Sequence, residues 1–237
     1  MIFGFYTLGC KVNQYETEAI KELFTDDGFE IVSFDEKADF YIVNTCSVTA
    51  MSDKKSRQII RRAKKQNPDA VVAVTGCYAQ TKAEEIKRMS EADVVLGTAN
   101  RAKICEIVEA KLRGENPDLI TDIMKQRLYE ELECEGKTER TRAYIKIQDG
   151  CSQFCSYCII PTARGRVRSR TLESLKTEIS SCLVILEKLL ETANEGRLVR
   201  DGKRTNIQRL GAGNFKQKTC KKQNKKEKRL LNNKIFS

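Results

Sequence analysis

Cys151-Ser-Gln-Phe-Cys155-Ser-Tyr-Cys158 sets three thiols at C-x3-C-x2-C spacing just after an apolar, strand-like run from Ala143 to Ile147. Soft thiolates are the usual protein ligands of iron–sulfur clusters, and a cubane has four irons to be held. Three cysteines leave one iron open, able to grip a small chelating ligand against a redox centre. A fourth would make the site an electron carrier or a structural knot. The competing chemistry is a structural zinc site, because cysteine spacings of two to four are also zinc-like and Cys134 or Cys182 would close a tetrahedron. The chain has no histidine, which excludes Ser-His-Asp and Cys-His catalysis and every His-containing metal site.

A second cysteine set emerges only when the elements that position it are read. Short apolar runs alternate with helical stretches, the signature of βαβ units and a parallel sheet. Strands are expected at Ile2 to Thr7, Phe29 to Ser33, Phe40 to Asn44, Ala70 to Thr75 and Asp93 to Leu96. Asn13, with Glu16 three residues on, reads as the cap of a helix running to about Asp26. Further helices are expected over Asp53 to Gln66, ended by Asn67-Pro68, Lys82 to Met89 and Ala102 to Leu112. In this frame Cys10, Cys46 and Cys77 each fall just beyond the carboxyl end of a strand, along the edge where open α/β sheets bind ligands. Gly9 and Gly76, directly before two of them, let the backbone approach a bulky inorganic group without a Cβ clash. A free cysteine is also simply a small buried hydrophobe; three at equivalent strand ends favour a ligand set.

Ten cysteines in 237 residues do not read as a disulfide scaffold, since such scaffolds are short and secreted, and the N-terminus lacks a basic region followed by an apolar core. Reduced thiols and a cytoplasmic location are expected. Leu8-Gly9-Cys10 resembles a lipoprotein cleavage site only superficially, because no basic residue precedes it. No apolar run approaches the ~18 residues that span a bilayer. The net charge of +10 belongs to the C-terminal end: residues 197–237 hold fourteen Lys/Arg and two Asp/Glu, against 29 and 31 in the rest. That tail, with Lys221-Lys-Gln-Asn-Lys-Lys-Glu-Lys-Arg229, reads as disordered and able to attract nucleic acid electrostatically.

Four segments together carry a family resemblance. They are Thr7-Leu-Gly-Cys-Lys-Val-Asn-Gln-Tyr-Glu-Thr-Glu18, Asn44-Thr-Cys-Ser-Val-Thr49, Val74-Thr-Gly-Cys-Tyr-Ala-Gln80 and Lys146-Ile-Gln-Asp-Gly-Cys-Ser-Gln-Phe-Cys-Ser-Tyr-Cys-Ile-Ile-Pro161. Over roughly residues 1 to 180 the chain resembles the radical S-adenosylmethionine methylthiotransferases. Ser47-Val-Thr and the basic stretch Lys54 to Arg62 are most similar to the branch that acts on N6-threonylcarbamoyladenosine beside the tRNA anticodon. The resemblance implies two [4Fe-4S] clusters: one on Cys151, Cys155 and Cys158, which binds S-adenosylmethionine and cleaves it reductively, and a second on Cys10, Cys46 and Cys77, which carries the sulfur. It implies methylthiolation at C2 of the adenine, with tRNA as substrate, a reductant protein and a sulfur source as partners, and Tyr157 near the adenine of the cofactor. No catalytic residue is implied beyond the cluster ligands.

The implied fold is α/β: an N-terminal parallel-sheet Rossmann/flavodoxin-like methylthiotransferase domain over 1–118, a linker over 119–140, the start of a radical-SAM (β/α) barrel over 141–196 and a disordered basic tail over 197–237. A barrel of this kind takes on the order of 200 residues, and only 97 follow Arg140, so the chain reads as C-terminally truncated, with a tail resembling out-of-frame translation. Leu172, Leu175, Ile179, Cys182, Leu186 and Leu189 form a heptad-spaced stripe of one amphipathic helix ending near Gly196, expected to pack on the first barrel strand. Arg164, Arg166, Arg168 and Arg170 alternate, so an extended segment would point all four to one side, toward a carboxylate, RNA phosphates or solvent. The Asp53 to Gln66 helix carries seven basic residues, Lys54, Lys55, Arg57, Arg61, Arg62, Lys64 and Lys65, enough to attract RNA or to form an ordinary solvated face. Cys105, Cys134, Cys182 and Cys220 match no ligand position. The alternative function is a non-catalytic iron–sulfur or zinc-binding, RNA-associating fragment.

Overall fold

The computed structural model describes residues 1–115, 120–132, 144–194, 199–200 and 203–204. The chain divides into two units, Met1–Ile185 and Leu186–Ser237. In the first, β1 (Ile2–Thr7), β2 (Glu30–Val32), β3 (Phe40–Thr45), β4 (Val71–Gly76) and β5 (Val94–Val95) form an all-parallel sheet in the order β2-β1-β3-β4-β5. This is the flavodoxin-like doubly wound order, whose switch point lies between β1 and β3.

Burial explains why these segments are strands. A parallel sheet covered on both faces needs continuous apolar runs rather than alternation, and every residue of Phe40–Thr45 is buried. Tyr41, Val43, Val72 and Val74 pack with Ile59, Ile60 and Ala63 of α2 (Ala50–Gln66) on one face. Phe3, Phe5, Phe40 and Ile42 pack on the other with Ile20 and Phe24 of α1 (Lys11–Asp26) and with Ile104, Ile107 and Val108. Those last three lie on α5 (Ile104–Leu112), introduced by a 3-10 turn at Arg101–Lys103. Ile60 is fully enclosed, so Ile60→Val, which deletes one methylene with little room to collapse, is expected to lower the unfolding free energy by about 1 kcal/mol in urea titration.

Local differences from the sequence reading have physical causes. The helix expected over Lys82 to Met89 is the shorter α4 (Ala83–Lys87), and an additional short helix, α3 (Cys77–Thr81), precedes it because the chain turns helical directly out of β4. Asn13 is not the cap of α1: Cys10 holds that position, without a side-chain bond to the helix amides, and Asn13 lies fully buried inside the helix. Among the described residues no barrel strand forms before the C-x3-C-x2-C loop. Residues 144–147 carry no strand, Ile147 is exposed, and β6 (Gln148–Asp149) pairs antiparallel with β7 (Arg168–Ser169) across α6 (Ile160–Arg164).

The amphipathic helix exists as α7 (Leu172–Asn194); of its stripe Leu172, Ile179 and Leu186 are exposed and Leu175 and Cys182 partly buried, and among the described residues of this helix Glu178 is the buried one. In the second unit, β8 (Val199–Arg200) and β9 (Lys203–Arg204) pair antiparallel. The expectations for the rest of the tail, and for Cys134 and Cys220, lie outside the described residues.

Candidate functional site

The sheet order brings three cysteines to one edge. β1, β3 and β4 are adjacent, and Cys10, Cys46 and Cys77 follow them: Cys10 at the exposed N-cap of α1, Cys46 directly after β3, and Cys77 as the first residue of α3. Cys46 and Cys77 are buried. Burial pushes the Cys77 thiol up, opposed by the positive charge of the Arg164 guanidinium.

Two glycines make room for this convergence. A Cβ on Gly9, at φ +95°, would lie 2.7 Å from both Cβ and Sγ of Cys46. A Cβ on Gly76, at φ +99°, would lie 2.4 Å from the Thr45 carbonyl oxygen. Both glycines therefore keep open the gaps between adjacent strand ends, which side chains would otherwise close.

A row of amides and hydroxyls stitches these ends together. The Asn13 Nδ2 donates to the carbonyl oxygens of Leu8 (2.8 Å) and Thr45 (2.9 Å), tying the β1 end to the β3 end. Asn44 Nδ2 donates to the Asn13 carbonyl at 3.0 Å and to Thr17 Oγ1 at 3.1 Å. Thr45 Oγ1 donates to the Thr75 carbonyl, and Thr75 Oγ1 to that of Gly97, extending the row across β4. Asn44 Oδ1 is buried among the described residues without a hydrogen-bond partner, an acceptor left over at this edge that costs desolvation unless something donates to it.

Cys151, Cys155 and Cys158 lie on a loop between β6 and α6, with Cys155 exposed and the other two partly so. The loop is closed by Cys151 N–H donating to the Gly165 carbonyl (3.0 Å) and Cys158 N–H to that of Cys155 (3.0 Å). Tyr157 is 91% exposed and stacks on no ring among the described residues. Among the described residues no three Cys, Asp or Glu side chains converge tightly enough to share one metal ion.

The protein-family comparisons match this architecture. The family model described as "Uncharacterized protein family UPF0004" covers residues 3–97, the sheet and its three strand-end cysteines. Threonylcarbamoyladenosine tRNA methylthiotransferase MtaB of Bacillus subtilis (strain 168) is 52% identical over 173 residues, 73% of this chain and 38% of the relative. Its namesake in Aquifex aeolicus (strain VF5) is 39% identical over 180 residues, 76% of this chain and 44% of the relative. A tRNA-2-methylthio-N(6)-dimethylallyladenosine synthase of Methylacidiphilum infernorum (isolate V4) is 35% identical over 182 residues, 73% of this chain and 38% of the relative.

Over about three quarters of its own length the chain is similar to the tRNA methylthiotransferases. It spans about two fifths of the length of these relatives, 38 to 44%.

In this chain the most buried polar cluster joins the sheet to the segment that carries the second cysteine set. Glu16, fully buried, meets Arg101 Nη1 at 2.6 Å, Lys146 Nζ at 2.7 Å and Arg164 Nη1 at 2.7 Å. Asp149 meets Lys146 at 2.7 Å, Arg164 at 3.0 Å, Arg101 at 3.4 Å and Arg168 at 3.6 Å. Burial alone would push the Glu16 carboxyl up, but Arg101, Arg164 and Lys146 outweigh it and hold the group well below the usual carboxylate range. Asp149 is likewise pulled down to about 2 against the opposing effect of burial, chiefly by Arg164 and Lys146.

Sequence reasoning missed this cluster, although a signal was present. Asn13, Glu16, Thr17, Ile20 and Phe24 share the buried stripe of α1, so Asn13 and Glu16 are polar residues on an inward helical face rather than a cap pair. The alternating arginines are also corrected. Arg164, Arg168 and Arg170 are buried in ion pairs, Arg170 with Glu131 and Glu178, and only Arg166 stays exposed, over the Phe154 ring at 5.3 Å. The alternation fails because Arg164 ends α6 and Gly165 turns the chain before β7.

The basic face of α2 is largely spent on ion pairs: Arg57 with Glu85, Arg61 with Glu91, Arg62 with Asp35 and Lys64 with Asp93. Lys54, Lys55 and Lys65 remain exposed. That is a smaller cationic patch than the count of seven suggested.

Proposed function

We propose that this chain is the cluster-bearing part of a tRNA methylthiotransferase, acting in the transfer of a methylthio group to C2 of N6-threonylcarbamoyladenosine next to the anticodon. The observation that carries the reading is the placement of Cys10, Cys46 and Cys77 beyond three adjacent parallel strands, with Gly9 and Gly76 clearing the space between them. A thiol-only donor set, without histidine or a converging carboxylate, suits an iron–sulfur cluster better than a hard cation.

In this proposal Cys10, Cys46 and Cys77 hold one [4Fe-4S] cluster and Cys151, Cys155 and Cys158 a second. The second supplies one-electron reduction of bound S-adenosylmethionine, with Tyr157 beside its adenine. The protein's own work is structural and electrostatic. Asn13 and Asn44 fix the spacing of the strand ends, burial of Cys46 and Cys77 keeps water from that edge, and the Glu16 network holds the segment after the second loop against the sheet. The proposed boundaries are 1–118, 119–140, 141–196 and 197–237, with tRNA, a reductant protein and a sulfur source as partners and the cytoplasm as location. No helix among the described residues is long and apolar enough to cross a membrane.

Anaerobic reconstitution tests the cluster reading. About eight irons per chain are expected, falling to about four when either cysteine triplet is replaced by alanine. Colourless protein that takes up zinc instead would sink both cluster assignments. The activity is tested separately, by incubating the chain with S-adenosylmethionine, a reductant and tRNA bearing threonylcarbamoyladenosine. Mass spectrometry of the nucleosides then shows whether a methylthio group has replaced a hydrogen.

A further inference from the structure

Arg164 touches more than an ion-pair partner would require. Its guanidinium is anchored by Glu16, through Nη1 at 2.7 Å and Nη2 at 3.0 Å, and by Asp149 at 3.0 Å. That would suffice to dock α6 on α1. Nη2 also donates to Asn13 Oδ1 at 2.7 Å, and the positive charge of the group acts on the Cys77 thiol. Asn13 Oδ1 in turn accepts from the Cys10 thiol at a sulfur distance of 3.9 Å. One buried guanidinium thus bears on two of the three strand-end cysteines, on Cys77 through its charge and on Cys10 through Asn13.

The same residue is tied to the other set. Gly165, its neighbour in the chain, accepts the Cys151 backbone N–H at 3.0 Å. Charge counting points the same way. Arg101, Lys146, Arg164 and Arg168 face Glu16, Asp149 and the partly exposed Glu130, four cations against three carboxylates. A buried excess of positive charge calls for an anion, and the cation of this group that reaches the strand-end cysteines is Arg164.

We infer that Arg164 is a positioning residue for the strand-end cysteine set, the fixed counter-charge of the anionic group those thiolates hold and the clamp between that set and the Cys151 loop. The inference rests on the cluster reading of Cys10, Cys46 and Cys77. Hydrogen bonds and positive charge at a cluster's sulfurs raise its reduction potential, so Arg164 tunes as well as places.

The test uses the full chain with Cys151, Cys155 and Cys158 replaced by alanine, so that a single cluster is observed. Iron content and the reduction midpoint, followed by electron paramagnetic resonance, are compared in this parent, Arg164→Met, Arg164→Lys and Arg101→Met. The parent is expected to hold about four irons. Arg164→Met shifts the midpoint to a more negative value, Arg164→Lys restores part of the shift, and Arg101→Met leaves it in place, because Arg101 pairs with the same carboxylates but contacts neither Asn13 nor a cysteine. An unchanged midpoint in Arg164→Met, or an equal shift in Arg101→Met, overturns the inference while leaving the cluster reading intact. A parent without iron overturns the cluster reading and this inference with it. Should Arg164→Met lose its native circular dichroism, Arg164→Lys decides, since it keeps the charge beside Glu16 and loses the fork; a midpoint equal to the parent's then overturns the proposal.

Discussion

Glu16→Gln is expected to cost the chain about 3–5 kcal/mol of stability at neutral pH, the range for breaking a buried ion pair from one side. The substitution is close to isosteric, so packing hardly changes. What changes is that Arg101, Lys146 and Arg164, all within 3.0 Å of the Glu16 oxygens, are left, among the described residues, with Asp149 and the partly exposed Glu130 as their ion-pair carboxylates. The hub already carries an excess of positive charge, so deleting an anion is far worse than deleting a cation. Lys146→Met is therefore expected to cost clearly less. Urea unfolding of the two variants, followed by circular dichroism, gives the comparison; equal losses would show that the net charge of the hub does not matter.

The pH dependence follows from the direction of the Glu16 shift. Its carboxyl is held well below the usual range in the folded chain, against about 4.3 when unfolded. The folded state binds this proton less readily. The stabilisation from Glu16 is thus complete above the unfolded value and is lost only as pH falls through the lower folded value. Acid unfolding of the parent chain should be steep below about pH 4. In Glu16→Gln the curve should start lower at neutral pH and fall less steeply, so that the two converge in acid.

How much of this was legible depended on whether the relevant partner was local. Phe40-Tyr-Ile-Val43 reads as a doubly covered strand, which puts Cys46, just beyond its end, at the sheet's edge; the parallel sense of the strands followed from the βαβ alternation, while their order did not. Cys77 was placed at the end of β4 even though the short helix α3 that begins at it was missed, because strand ends are set by apolar composition and helix starts by finer capping detail. Glu16 was seen and misread. An Asn-x-x-Glu start satisfies the spacing of a capping pair and that of a buried helical stripe equally well. What decides between them is Lys146, 130 residues away, and no local pattern announces a partner at that range. The alternating arginines do not share one side for the same reason: their partners are Glu16 on α1, Asp149 on β6, Glu178 on α7 and Glu131.

Gly76→Ala is expected to be the most damaging single methyl group that can be added to the strand-end site. The residue has φ +99° and ψ −168°, a region open essentially to glycine alone and costing on the order of 1–3 kcal/mol for any other residue. The new Cβ also has no space. It would lie 2.4 Å from the Thr45 carbonyl oxygen, 2.5 Å from Asn44 Oδ1 and 2.7 Å from Thr45 N. Two of these are backbone atoms of the neighbouring strand, whose register with β4 ends at the Thr45–Gly76 pair, so relief means opening the sheet where Cys46 and Cys77 leave it. Overpacking adds about 1–3 kcal/mol, for a total of roughly 2–6 kcal/mol. The functional loss should exceed the loss of stability. Moving Cys77 away from Cys46 removes about four irons per chain, while the Cys151 loop, built on other elements, keeps its own. Gly28→Ala is the control: Gly28 also has a positive φ, +79°, but nothing lies within 4 Å of a Cβ there. It should bear the backbone cost alone and leave the iron count unchanged. If both variants retain eight irons, the close approach at Gly76 serves the sheet and not the site; if both lose iron, global instability is the cause rather than the geometry of the strand ends.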